Sequence, residues 1–292
     1  MKTIKSIGIA VALLLSAGLA GCHKEKAGVY EPKKKIQQIY CFETTPYQHW
    51  DWNGDQLSSI THYTDLDFKS NTWVEHFSYE KGRLTRVDNY TNSEYITYDY
   101  NDDELKTATV FYENAIMASW TASYNNGKIN KLTGTIYDGY KKNAHQLTLD
   151  PLARLLPAET CRKIAQQEQK MAAQRQTEDA LTIALLLTWN EERIEKIILT
   201  GDGEVLEMQL QYDDKRCPYY GFMGGFEDFY TNYLSGHTGF TKNNVTRLIA
   251  TEDGYSDTLY YAYQYDADQY PILQTMYFAE DPDDKMIFKY EY

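Results

Sequence analysis

A chain of 292 residues has room for one large β domain or two small ones, and for a sizeable buried core. Its formal charge of −13 reaches −15 once Lys2 and Lys5 are removed, and −18 on the residues after 35, because Cys22 to Lys35 carries +3. A body this acidic repels nucleic acid, whose binding needs a cationic surface, so that class of partner is excluded.

Lys2 and Lys5 precede an apolar run, Ile7 to Leu15, that is too short to span a bilayer as a helix. Small residues follow and end in Leu19-Ala20-Gly21-Cys22. Residues 1–21 thus resemble a bacterial lipoprotein signal. The resemblance implies that Cys22 is acylated, becomes the mature N-terminus and holds the protein to the membrane through its lipid. An ordinary secretory signal with a chance cysteine is the alternative. Residues 22–35 then form a basic tether, with Lys24, Lys26, Lys33, Lys34 and Lys35 against Glu25 and Glu31. It either touches anionic headgroups or is simply solvated, and composition favours the second. No later segment is long and apolar enough to cross a bilayer as a helix. Cys41, Cys161 and Cys217 are an odd number, so at most one bridge forms within the chain, and their spacing fits no zinc motif.

From residue 36 onward one short pattern recurs. An aromatic is followed by Asp, Asn or Glu, then a turn residue, then Leu or Ile five positions on. Its copies begin at Trp52, Tyr79, Tyr100, Tyr124 and Trp189 and return at Leu57, Leu84, Leu105, Ile129 and Ile194. Two variants, Tyr212 to Pro218 and Tyr265 to Pro271, end in proline, which suits the start of an edge or bulged strand. Intervals of 27, 21 and 24 residues link Trp52, Tyr79, Tyr100 and Tyr124; Trp189 to Tyr212 is 23, and Tyr265 to Tyr290 is 25. Each interval holds one return strand and one new strand. The segment Ala118-Trp120-Ala122-Tyr124 alternates with Ser119-Thr121-Ser123, which is the period of a half-buried strand. The signature aromatic always shares the apolar parity. The surplus of Tyr, 27 residues, therefore reads first as packing, and as a sugar-stacking platform second.

Two gaps interrupt the array. Asp150-Pro151 caps a helix-favouring stretch, giving a helical insert at about 150–177 whose apolar stripe covers a barrel mouth or meets a partner. The second gap, Tyr219 to Lys242, is rich in Gly and aromatics and reads as a long ordered loop. Its Tyr220, Phe222, Phe226 and Tyr230 are candidate ligand-binding residues. So is Tyr260, which falls out of phase with Leu259, Tyr261, Tyr263 and Tyr265.

The hairpins, the Tyr212-Asp213-Asp214-Lys215 variant and the run Lys242-Asn243-Asn244-Val245-Thr246-Arg247-Leu248 resemble a family of uncharacterised Bacteroidota lipoproteins with a porin-like fold, a domain of unknown function. The resemblance spans roughly residues 36–292. It implies an all-β antiparallel meander that curls into a single barrel domain, and it brings no substrate and no catalytic residue. Tyrosines and polar neighbours run through the strands, so a soluble, lipid-anchored barrel is expected rather than one with a lipid-facing band.

No Gly-x-Ser-x-Gly elbow, phosphate-binding Gly-Lys loop or His-Glu-x-x-His is present, and no catalytic residue, metal or cofactor is assigned. His49, His62 and His76 recur at intervals of 13 and 14, but separate rim positions explain them better than a metal site. Asp257-Thr258-Leu259 resembles an O-glycosylation acceptor of this bacterial group. The expected function is a non-enzymatic binding or scaffolding module of the cell envelope, anchored in the outer membrane. Its partner would be a glycan, a small molecule or an envelope protein. The rival readings are a glycan hydrolase using paired carboxylates and a structural component of the envelope.

Overall fold

The computed structural model describes residues 26–63, 72–89, 93–137, 180–201, 204–224, 239–252 and 254–292. The helical insert at about 150–177 and Cys22, Cys161, Phe226 and Tyr230 lie outside the described residues. The first strands are β1 (Gln38–Cys41), β2 (Thr45–Asn53), β3 (Gln56–Tyr63), β4 (Thr72–Glu80) and β5 (Arg83–Asn89). They continue with β6 (Glu94–Asn101), β7 (Glu104–Tyr112), β8 (Ala115–Asn125), β9 (Lys128–Tyr137) and β10 (Ala180–Asn190). The last are β11 (Arg193–Gly201), β12 (Glu204–Tyr212), β13 (Val245–Glu252), β14 (Tyr255–Tyr265), β15 (Pro271–Phe278) and β16 (Asp281–Glu291). Each strand pairs antiparallel with its chain neighbours, and β1 pairs with β16, so the sheet closes as a barrel.

The recurring pattern marks one end of this barrel. Between β2 and β3, β4 and β5, β6 and β7, β8 and β9, and β10 and β11 the chain turns through two residues. Positive φ at Gly54, Lys81, Asp102, Asn126 and Glu191 makes those turns, which is why Asn, Asp and Gly follow the aromatic. Beside each turn the register shifts just before the aromatic: Asp51 faces Ser59 but Trp52 faces Leu57, and Asp99 faces Thr107 but Tyr100 faces Leu105. The same bulge precedes Tyr79, Tyr124, Trp189, Tyr212 and Tyr265. A bulge on every hairpin at one end sharpens local twist and helps the sheet curl shut.

These bulges explain why the aromatic is Tyr or Trp and not Phe. Pairing between successive hairpins stops two residues short of the return residue, at Arg86–Thr97, Lys131–Leu186, Lys196–Gln209 and Leu273–Lys289. The polar tip of the next aromatic takes over there. Tyr100 Oη donates to Leu84 O (2.6 Å), Trp189 Nε1 to Ile129 O (2.7 Å), and Tyr212 Oη to Ile194 O (2.8 Å). Leu105 N donates to Tyr124 Oη (2.8 Å), and Trp52 Nε1 donates to Ile36 O (2.7 Å). At the last hairpin Tyr292, not the expected Tyr290, donates to Pro271 O (2.8 Å). Tyr100→Phe is therefore expected to leave the Leu84 carbonyl unsatisfied and to cost about 1–3 kcal/mol in denaturant unfolding. Tyr95→Phe, whose hydroxyl meets Asn114 at the surface, is expected to cost less than about 0.5 kcal/mol. Equal losses at the two positions would refute this role for the hydroxyl.

The same end is filled from inside. The stretch expected to be a solvated tether is docked from Ala27 on. Ala27 N donates to Asp103 O, Leu84 N to Gly28 O, and the Tyr30 ring is buried. Gly28 has φ +78°, and a Cβ there would strike the Tyr100 hydroxyl, so this contact requires glycine. From the other side come residues 213–224. Here the proline variant departs from expectation: Pro218 starts no strand, and β13 begins only at Val245. Tyr219 meets Trp50 of β2 and Tyr290 of β16, Phe222 meets Phe77 of β4, and Tyr98 Oη of β6 donates to Met223 O (2.8 Å). This segment thus touches inward residues on widely separated strands and lies across the barrel. Tyr30 Oη donates to Pro218 O (2.7 Å) and ties the two inserted segments together. Pro271, by contrast, does begin a strand as expected.

Around and beyond this plug the interior is packed with Ile39, Leu57, Ile60, Leu105, Leu132, Ile194, Ile197 and Met208, all buried. The thiols of Cys41 and Cys217 lie within the core, pushed up by burial to about 11 and about 12. They are therefore poor nucleophiles.

Candidate functional site

Toward the opposite end, where β3–β4, β5–β6 and β9–β10 connect, the inward parity changes character. Gln48, His62, Glu75, Asn89 and Glu94 come from five consecutive strands, β2 to β6. Register sets them side by side: Gln48 faces His62, Ile60 faces Glu75, Glu75 faces Asn89 and Asn89 faces Glu94. Strands spaced at about 4.8 Å place the Glu75 and Glu94 backbones about 10 Å apart, with Asn89 between them.

A chain of donors orients the row. The Trp50 indole can only donate, and it donates to Gln48 Oε1 (3.1 Å). The Gln48 amide nitrogen therefore faces His62 Nδ1 (3.3 Å) as donor, and Nδ1 accepts. His62 Nε2 is left to donate to Glu75 Oε2 (3.0 Å). Trp73 stacks on the imidazole at 3.8 Å and 2°, which holds the ring plane. Glu75 is only 6% exposed, and the bond from His62 helps to hold its carboxyl group inside the barrel wall.

Glu94 has a different environment. Burial, and then the charge of Glu75, push its carboxyl up to about 7. Asn89 Oδ1, on the strand between the two acids, is buried without a hydrogen-bond partner among the described residues. A cleft of about 390 Å³ reaches this point and is lined by Asn89, Ser93, Glu94, Tyr95, Glu113 and Asn114. On the outer wall of the cleft Arg86 is held by both oxygens of Asp88 (2.8 and 2.9 Å from Nε) and lies 3.7 Å from the Tyr95 ring centre. The cleft therefore offers acceptors, the Glu94 carboxyl among them, while the cation on its wall, Arg86, is already paired with Asp88.

The barrel is similar in structure to a porin-like protein from Bacteroides uniformis, with a TM-score of 0.51 over 90% of this chain and 99% of that one. The shared fold is porin-like. Identity is 12%, so the likeness concerns fold and carries no site residue across. A porin-like protein from Bacteroides vulgatus aligns over 89% of this chain and 99% of that one, at 10% identity and a TM-score of 0.37. No family model matches the chain, and no curated protein matches it.

The aromatics singled out from the sequence fall elsewhere. Phe222 is committed to the plug, with ring centres 5.2 Å from Trp50, 5.3 Å from Tyr30 and 6.0 Å from Phe77. Tyr220 is half-buried beside it, with Lys242 Nζ 5.5 Å from its ring centre. Tyr260 lies on the outer wall in a ladder across four strands. Arg247 sits 5.5 Å from its ring centre, Tyr277 stacks on it at 5.5 Å, and Lys285 flanks Tyr277 at 5.9 Å. The three histidines do not converge. His62 points inward, whereas His49 bonds Gln38 and Asp51 on the outer wall, and His76 faces Asp88 across β4 and β5. Among the described residues no group of three or more His, Cys, Asp or Glu is placed to hold a metal ion.

Sequence reasoning passed over Gln48, Glu75, Asn89 and Glu94. A signal was present: Glu75 shares parity with Trp73, Phe77 and Tyr79, and Glu94 with Ile96 and Tyr98. A carboxylate on the apolar side of a strand has to be paired, neutral or functional.

Proposed function

We propose that this protein is a non-enzymatic binding module of the bacterial cell envelope, anchored by lipid at Cys22 and holding its ligand at the polar end of the barrel. In this reading residues 1–21 are removed, residues 36–292 form the single barrel domain, and the barrel stands in the aqueous phase beside the outer membrane. The observation that carries it is the plugged interior. A sixteen-strand barrel has room for an aqueous channel. Here that room is taken by the N-terminal segment, residues 213–224 and the aliphatic core. A conducting pore is therefore a poor fit, and a one-ended cup is a good one.

The outer wall supports an aqueous setting. Thr97 and Asp99, Thr107 and Thr109, Ser119 and Thr121, Lys131 and Thr133, Gln209 and Gln211, and Lys289 and Glu291 alternate with inward core residues. A lipid-facing Lys at mid-depth costs about 2–4 kcal/mol. Docking of Ala27 supports one orientation in this reading: five residues from a lipidated Cys22 would reach at most about 18 Å, which would put the plugged end beside the headgroups and turn the polar end away. The resemblance to lipoproteins of Bacteroidota agrees with this arrangement.

Carbonate extraction of cell envelopes tests the reading. The wild-type chain is expected in the membrane pellet and Cys22→Ala in the supernatant. A Cys22→Ala chain that stays in the pellet would mean that the barrel itself is embedded. A thermal-shift screen against glycans, amines and lipids tests binding. A ligand specific to the folded state, at about a hundred times its dissociation constant, adds roughly 2.7 kcal/mol of stability.

The Glu75–Glu94 pair favours a second reading, a glycan hydrolase with Glu94 as proton donor and Glu75 as its partner. Turnover of aryl glycosides that disappears in Glu94→Gln would establish it in place of the first.

A further inference from the structure

We infer that the outer wall of β9 to β12 docks a second copy of this chain. On β8 and β12 the outward parity is polar, with Ser119, Thr121 and Ser123 on one and Glu207, Gln209 and Gln211 on the other. β10 and β11 break that rule. Leu185 and Leu187 are buried, yet Leu186 between them is 41% exposed. On β11 Ile198 points outward beside the buried Ile197. Strands that are apolar on both faces are ordinarily covered on both.

Register joins these exceptions into one row. Lys131 of β9 faces Leu186, Leu186 faces Ile198, and Ile198 faces Glu207 of β12. At about 4.8 Å per strand the row is about 14 Å long. It reads cation, apolar, apolar, anion, so it complements itself when reversed. A two-fold axis lying between two facing walls, parallel to their strands, reverses it. Leu186 of each copy then meets Ile198 of the other, and Lys131 of each meets Glu207 of the other. The next row, Thr133, Ala184, Thr200 and Val205, is small and uncharged and pairs in the same way. That axis also keeps the strands of the two walls aligned, as sheets packed face to face prefer. Two convex walls part toward their edges, and there the long Lys131 and Glu207 side chains stand.

Both charged ends can take a further partner. Lys131 has no ion pair among the described residues. Glu207 is held by Lys196 (2.5 Å) and Gln209 (3.0 Å), one on each oxygen, and an ionised carboxylate has room for more. The acidic body as a whole repels its own copies. On this wall that opposition is relieved, because two lysines, Lys131 and Lys196, outnumber Glu207. A bilayer fits less well, since it would take Lys131 out of water at a cost of about 2–4 kcal/mol at mid-depth. The matched wall runs from the level of Lys196 and Thr188 to that of Tyr137 and Ala180. It is four strands wide and about 27 Å long, roughly 500 Å². That lies below the about 800 Å² per partner of a standard interface, so the dimer is weak and reversible.

The test is sedimentation equilibrium of the full-length protein in a density-matched detergent. A monomer–dimer equilibrium is expected, with a dissociation constant of about 1–100 µM. Lys131→Glu and Glu207→Lys are each expected to weaken it about tenfold or more, because like charges then face each other at both ends of the row. Leu186→Ser is expected to weaken it by a similar factor. All three positions are on the outer wall, where substitution leaves the fold intact. An equimolar mixture of Lys131→Glu with Glu207→Lys is expected to dimerise to within about threefold of wild type, since opposite charges meet again. A merely structural effect of either substitution would not be rescued by mixing. A wild-type chain that stays monomeric up to about 100 µM overturns the inference. So does a dimer that both charge reversals leave untouched, or a mixture that fails to restore it. A wild-type monomer whose Cys22→Ala form pellets with phosphatidylcholine vesicles, and pellets less after Leu186→Ser, also overturns it and gives the wall to lipid.

Discussion

Trp50→Ala is expected to lower the unfolding free energy by about 3–5 kcal/mol, the range for emptying a buried indole site. Trp50 is 1% exposed and stands where the wall, the plug and the polar row meet. Its ring centre lies 5.2 Å from Phe222, 6.1 Å from Tyr219 and 6.4 Å from Tyr30, so truncation opens a void at the base of both inserted segments. It also removes the donor that orients Gln48 and, through it, His62. Such a loss is a large part of the 5–15 kcal/mol that ordinarily separates folded from unfolded domains. The measurement is a guanidinium titration with midpoint and slope fitted separately, since an unchanged slope identifies a change in stability alone. Trp50→Phe separates the two roles. It refills most of the ring volume and is expected to cost only about 1–2 kcal/mol, yet it leaves Gln48 Oε1 without the indole donor. A Trp50→Ala chain within about 1 kcal/mol of wild type would show that the plug does not depend on this ring.

Glu94→Gln is expected to stabilise the protein at alkaline pH and to leave it nearly unchanged in acid. Burial and the neighbouring Glu75 raise the Glu94 carboxyl to about 7, against 4.5 for an unperturbed glutamate. Between those values the folded chain keeps a proton that the unfolded chain has released. Stability then falls as pH rises, because the slope follows the protons bound unfolded minus those bound folded. The contribution is complete below about pH 4.5, is lost through about pH 7 and stays lost above it. A shift of this size corresponds to about 3 kcal/mol at the usual 1.36 kcal/mol per unit. Glutamine keeps the shape and does not titrate. The difference between Glu94→Gln and wild type is therefore expected to be about 1 kcal/mol or less at about pH 5 and about 3 kcal/mol at about pH 8. Thermal unfolding of both chains at the two pH values reads it directly. A difference that does not change with pH would remove Glu94 from the buried, proton-holding role that the polar row assigns to it.

Much of the wall was legible in the chain. The alternation in Ala118 to Tyr124 gives the inward face of β8, and the Asn-Asn-Gly after Tyr124 gives its turn. The reason is local: strand parity and positive φ depend on neighbours a few residues away. The bulge beside each turn was not legible, because it is a property of two strands in register. With it went the reason for Tyr and Trp over Phe, which lies in a carbonyl on the preceding hairpin, 16 residues from Tyr100 and 60 from Trp189.

The candidate site was legible only as an anomaly. Glu75 and Glu94 break the apolar parity of their strands, but nothing in the chain says that Asn89 of the strand between them faces inward too. His49, His62 and His76 recur by spacing, but register sets His62 beside inward Gln48 and Trp73, while His49 faces Thr61 and His76 faces Ser59 and Asp88 on the other side of the wall. Phe222 stood out as a ligand aromatic because a Gly-rich loop is usually exposed. Here residues 219–224 turn inward, and Phe222 packs against Tyr30, Trp50 and Phe77.

By itself the sequence determined the all-β antiparallel character, the parity of the strands, the tight turns and the acidity of the body, since each follows from residue type and short spacing. Tertiary structure alone decided three things. Closure rests on β1 meeting β16 from opposite ends of the domain. The plug rests on Tyr30 meeting Pro218, 188 residues away. The polar row exists because the register of five successive strands sets their polar exceptions at one height. Closure and the plug depend on contacts between residues far apart in the chain, and the row depends on pairing across several strands, so none of the three can be read from the local chain.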